Sequence, residues 1–354
     1  MRTGMKLVAA LALALPAAAA TQTTPGAAPA TTGYQAPRHT TSQSPLFLVP
    51  SEQELFARAN AGMQIESNRS PAEEYAEHGK LERALRALAP QRRGVVDAYV
   101  VSISLDSDPV FGREARVAGD VLRRRYDAAG RTIVLAGTDG SGPSALPRGT
   151  PGTLAIALAR IAELMDESED VLVLYATTHG APFGLYYHDA DSGFGAISPS
   201  RLRTMLDDLG IRNRLLILSA CYSGVFVPAL QSETTAIITA ASADRTSFGC
   251  AAENDWTFFG DAMINHALRK AQPLAAAFAE ANGLITTWEA QFPVRASQPQ
   301  ISIGAGTPRW LTALERRMPP TATQPVGRPA VDSTRAAMGP PRPAPPPPTQ
   351  PPPK

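Results

Sequence analysis

The sequence predicts an α/β fold: a mostly parallel central sheet with helices on both faces. Three observations carry that prediction. Runs such as "DVLVLYATTHG" (170–180) and "RLLILSAC" (214–221) are apolar without alternation, as strands buried on both faces are. Stretches with apolar residues at helical spacing separate such runs. From residue 94 onward strands and helices alternate, the order that covers both faces of a parallel sheet. The two quoted strands end abruptly in small residues, the first presenting His179 and the second Cys221, in a chain with five histidines and two cysteines.

The elements follow in order. At the start, Arg2 and Lys6 precede the apolar run 7–15 and small residues at 17–20, the layout of a secretory signal over residues 1–20. The rival is an uncleaved anchor, but the run is short for a spanning helix, and the mature chain shows no other span. Residues 21–50 are rich in Thr, Ala, Pro, Gly and Ser and read as a flexible linker. Residues 51–90 form an N-terminal helical segment, a removable propeptide or a permanent part of the fold. In it Ser51 with Glu54 has capping-box spacing, and Ser70 precedes Pro71 at a first helical position.

The main domain spans 91–318. Strands are expected at 95–105, 131–137, 170–180, 214–221 and 235–242. Helices are expected at 113–127, 151–167, 198–210, 257–271 and 274–291. Residues 319–354 hold fourteen of the 33 prolines and read as a disordered spacer in extended geometry. The sharper reading of this tail is a ligand for a proline-binding partner in the cell envelope.

The formal charge of +1 on 354 residues names no acidic partner, and no basic stripe points to nucleic acid. Export implies an oxidising compartment, where Cys221 and Cys250 are the one available disulfide pair. Otherwise Cys250 reads as a small buried hydrophobe, or as half of a reversible lock on Cys221.

In open α/β sheets working groups gather beyond the carboxyl ends of strands. His179 and Cys221 both sit at such ends, so neighbouring strands would bring them together. A thiolate attacks where a thiol does not, and an imidazole can take the thiol proton and protonate a leaving amine. Backbone N–H groups at Gly180 and Cys221 could hold an oxyanion, a contribution of roughly 2.7–4 kcal/mol per donor.

"TTHGAPFGLYYHD", "ILSACYSG" and "TAASADRTSFGCAAENDWTFFGDA" resemble the legumain family of cysteine endopeptidases in its bacterial branch, whose relatives include caspases, metacaspases and gingipains. The resemblance covers about residues 94–306. It implies a caspase-like three-layer α/β/α sandwich, Cys221 as nucleophile, His179 as general acid and base, a protein or peptide substrate, and no metal or cofactor. It further implies a pocket reading Asn or Asp before the cleaved bond, with Arg113, Asp261 and Ser247 or Thr246 at the family's pocket positions. Two positions depart. Ser219 stands where the family has Glu two residues before the cysteine, and Val110–Phe111 where an Asn orients the histidine. The whole predicts an exported endopeptidase, periplasmic or secreted. The rivals are a peptide ligase on the same parts and a degenerate envelope scaffold acting through its tail.

Overall fold

The computed structural model describes residues 44–137 and 144–338. The expected signal segment 1–20, most of the linker and residues 339–354 lie outside that range. The chain enters through α1 (Glu52–Asn60), β1 (Gln64–Glu66) and α2 (Pro71–Arg86). Ser51 Oγ accepts the Glu54 N–H at 3.2 Å, and Ser70 and Glu73 cap each other reciprocally, which satisfies N–H groups that a helix start leaves unpaired.

Next come β2 (Ala98–Ser104), α3 (Pro109–Arg125), β3 (Thr132–Leu135), α4 (Pro151–Leu164) and β4 (Val171–Thr177). Short strands β5 (Gly180–Ala181), β6 (Gly184–Asp189) and β7 (Gly193–Ile197) interrupt the alternation. It resumes with α5 (Pro199–Asp208), β8 (Arg214–Ser219), α6 (Val227–Leu230) and β9 (Thr235–Thr239). A π-helical turn, Gly260–His266, leads to α7 (Leu274–Glu289), β10 (Gln300–Ile303), α8 (Pro308–Arg316) and α9 (Ala330–Met338).

The main sheet runs β10-β9-β8-β4-β2-β3, parallel throughout except for the antiparallel edge pair β10–β9. Strands β2, β4 and β8 are buried along their whole length, which is why their sequences lack alternation. One face packs Val100, Val173 and Leu215 against residues of α3, α7 and α8; the other packs Tyr99, Leu172 and Leu216 against α4 and α5. The result is the three-layer α/β/α sandwich expected. Each fully buried Leu, Ile or Val contributes roughly 1.5–3 kcal/mol.

Two borders differ from the sequence reading. Among the described residues packing is already present within the expected linker: Ser44 is buried and Phe47 meets the Phe183 ring at 4.8 Å. Segment 51–90, for which the sequence left two readings open, is packed on the main domain, where β1 pairs with β7 in a second, antiparallel sheet of order β1-β7-β6-β5. The folded chain also continues to Met338 rather than stopping near residue 319, with Ala330 fully buried. Proline content signals a lack of regular hydrogen bonding, but not a lack of docking. Among the described residues no helix is long and apolar enough to cross a membrane.

Candidate active site

Parallel register fixes the geometry at the carboxyl edge. Thr177 of β4 is level with Ser219 of β8, so His179 and Cys221, each two residues further on, leave the sheet at one height. Gly180 closes the gap between the two strand ends. A Cβ there would lie 2.1 Å from the Cys221 carbonyl oxygen, so only glycine allows the approach. Tyr222, next after the cysteine, has φ 57°, a left-handed backbone that non-glycine residues adopt rarely and that clusters at functional turns.

Cys221 is not in a disulfide. Its Sγ receives the Ser247 N–H at 3.2 Å, with the Ser247 hydroxyl 3.6 Å away. Ser247 therefore stands beside the Cys221 sulfur, whereas Thr246 is exposed. Burial pushes the Cys221 thiol pKa up, while the hydrogen bonds from Ser247 and the neighbouring His179 pull against it. An N–H aimed at sulfur favours the thiolate.

His179 is half-buried, with Phe111 edge-on at 5.0 Å. Its Nε2 faces Asp108 Oδ2 at 3.8 Å. Burial pulls the imidazole pKa down, but Asp108, Cys250 and Asp106 together outweigh it and hold the value above the ordinary one. Asp108 thus faces the imidazole from the start of α3, just before Val110–Phe111, where the sequence showed no polar partner for it. A sequence signal did exist: Pro109 opens α3 and marks Asp108 as its cap, yet the Asp108 side chain makes no capping hydrogen bond and turns to the imidazole.

Cys250 corrects a second expectation. It is free and only partly buried, rather than sitting as a core hydrophobe.

The pocket residues divide. Arg113, near the start of α3, holds the loop after β9: its Nη2 donates to the Ala252 and Asn254 carbonyls at 2.6 and 2.5 Å, and Asp255 lies 3.7 Å from its Nε. Asp261 does not reach the site. It is fully buried in the π-helical turn, where Oδ1 accepts from Asn265 Nδ2 and Oδ2 from the Ala330 N–H, both at 2.8 Å. The widened turn faces the C-terminal segment, so the carboxylate is structural.

Ser219 gains an acid after all. Its hydroxyl donates to Glu114 Oε1 at 3.0 Å. Glu114, fully buried, also accepts from Tyr175 Oη, Thr177 Oγ1, and the Thr257 N–H and hydroxyl. One carboxylate from α3 therefore ties β4, β8 and the loop after β9 beneath the cysteine. Leaving such a group short of donors costs about 1–3 kcal/mol. Helical phase could have found it, because Glu114 shares a face with buried Val110, Phe111, Ala118 and Val121.

Residues 154–304, which include both strand ends, match the family model of the peptidase C13 family. Over this stretch the chain is similar to the peptidase C13, legumain, family. By that family the protein is a cysteine-type peptidase. No curated protein matches the sequence. Among solved structures the chain is similar to caspase-1 from Spodoptera frugiperda, at 14% identity and a TM-score of 0.40, over 61% of this chain and 88% of that one.

Proposed function

We propose that the protein is an exported endopeptidase that cleaves peptide bonds through Cys221 and His179 by way of an acyl-enzyme. The observation that carries the reading is Gly180 seated against the Cys221 carbonyl, which makes the two strand ends one edge. In the reaction the Cys221 thiolate adds to the scissile carbonyl, and N–H groups of Gly180 and Cys221 take the charge that develops on oxygen. The imidazolium of His179, steadied by Asp108, gives its proton to the departing amine as the C–N bond breaks. Water, deprotonated by the now neutral imidazole, attacks the thioester; a carboxylate leaves and the cysteine returns. Arg113 and Ser247 lie where the residue before the cleaved bond would be read, and Asn or Asp is the class their chemistry favours. Export rests on the layout of residues 1–20.

The test uses the chain from residue 21 under mild reductant, with a fluorogenic panel carrying Asn, Asp, Arg or Lys before the bond, and an iodoacetamide probe. Cys221→Ala should lose both labelling at that position and turnover, the latter by about 10^4-fold or more. Turnover unchanged in that variant would sink the reading, and absence of turnover with unremarkable Cys221 labelling would favour a scaffold.

A further inference from the structure

The segment that was expected to be a loose tail docks on the loop that surrounds the cysteine. That loop, residues 245–257, meets Cys221 and the residue after it: the Tyr222 N–H donates to the Arg245 carbonyl at 2.8 Å, and the Ser247 N–H donates to Cys221 Sγ at 3.2 Å. Its far end is held by Arg113 through the Ala252 and Asn254 carbonyls. The chain at 326–330 then lies across the same end. Trp256 Nε1 and Asn265 Nδ2 both donate to the Val326 carbonyl, at 2.8 and 3.0 Å, and the Val326 N–H donates to Asn265 Oδ1 at 2.9 Å. The Arg328 N–H donates to Asp255 Oδ2 at 2.7 Å, and the Ala330 N–H to Asp261 Oδ2 at 2.8 Å.

These bonds use the backbone of the segment and side chains of the domain. The segment therefore needs an exact path more than particular side chains, and Gly327 shows it. Its φ is 75°, and a Cβ there would come to 3.1 Å from both Asp255 Oδ2 and Trp256 Nε1. Asp255 is where the two anchorages meet, since one oxygen takes the Arg328 N–H and the other faces Arg113 Nε at 3.7 Å.

We propose that Asp255 is a positioning residue for peptide binding, and that the docked segment 326–330 acts through it to set the place of loop 245–257 beside Cys221. The proposal rests on the endopeptidase reading for its kinetic consequence, but not for its structural one. A held loop presents its N–H groups and Arg113 in one arrangement, so that substrate does not have to order them. Loosening the far end weakens peptide binding and leaves the bond-breaking groups, which directly follow β4 and β8, in place.

The experiment measures peptide kinetics and amide hydrogen exchange on the chain from residue 21. In Asp255→Ala, KM should rise about fivefold with kcat within about twofold, the size expected for one lost hydrogen bond and one weak ion pair. Exchange should speed up together at 247–257 and 325–330. Asp255→Asn keeps an acceptor for the Arg328 N–H and should recover most of the protection at 325–330. Gly327→Val, which displaces the segment while Asp255 is intact, should reproduce the loosened loop. Wild-type KM and wild-type exchange in both Asp255→Ala and Gly327→Val overturn the proposal. So does a raised KM with unchanged exchange, because Asp255 would then be meeting substrate itself. If the parent chain cleaves no peptide, the endopeptidase reading fails separately and exchange decides: coupled loosening sustains the docking role, and loosening of 325–330 alone removes it.

Discussion

The two ends of one sheet treat charge in opposite ways. At the amino edge Asp97, just before β2, is fully buried and takes the Arg92 N–H and Nε at 2.7 and 2.8 Å, with Arg131 Nε 3.1 Å away. Asp170, just before β4, accepts the N–H groups of Asp97 and Asp166 at 2.7 and 2.8 Å. At the carboxyl edge the His179–Asp108 pair is longer, 3.8 Å, and its side chains are 39% and 27% exposed, against 0% and 9% for Asp97 and Arg131. A closed pair has nothing left to offer a substrate. A half-open pair can hold a proton or give it up, which places chemistry at the strands' carboxyl ends and bracing at their starts.

Substitutions at the two edges should therefore fail differently. The largest effect is expected at the closed end: Asp97→Ala leaves buried Arg131 without its carboxylate and should cost about 3–5 kcal/mol of stability. Denaturant melts should show that loss, while kcat per folded molecule stays near wild type. An equal drop in kcat would erase the distinction between the edges. Asp108→Ala should do the reverse, lowering kcat by about tenfold to a hundredfold with little change in melting, the range seen when a supporting partner of a working histidine is removed. The direction with pH follows from the raised His179 pKa. The imidazolium is available below that pKa and lost as pH rises through it. Removing the carboxylate lowers it, so the alkaline limb of the kcat profile should move to lower pH. A limb that stays put would show that Asp108 does not govern the imidazole.

The same contrast explains what the sequence made legible. Strands β2, β4, β8 and β9 announce themselves because burial on both faces leaves few polar interruptions, and the ends of β4 and β8 deliver His179 and Cys221. What was hidden depends on side chains crossing between distant elements. Asp108 reads as a helix cap and serves the imidazole; Glu114 reads as one more helix acid and braces two strands. Asp261 lies in the motif that carries the resemblance yet points to Ala330. The docking of 326–330 runs through backbone N–H and C=O groups, which composition does not encode, so proline content pointed to a spacer.

Asp170 gives the subtlest comparison, because its edge is closed to solvent but not without electrostatic cost. Burial is the main cause that pushes its carboxyl up to about 6, against two N–H donors that pull it down. For a group raised in the folded state, the stabilisation is complete below the unfolded value, about 3.9, and is lost as pH rises through about 6. Between those values the folded chain holds the proton more tightly than the unfolded one, so stability falls with rising pH. Asp170→Asn has no such proton. It keeps one acceptor oxygen for two donors and should be less stable than the parent throughout. The deficit should be largest near pH 4.5 and shrink by pH 7.5, where the parent carries a buried charge that the variant lacks. Melting both proteins across that range isolates the group, since every other titrating residue is common to the pair. A deficit that is constant with pH would mean that the two N–H donors balance burial in full, and that Asp170 is as closed a brace as Asp97.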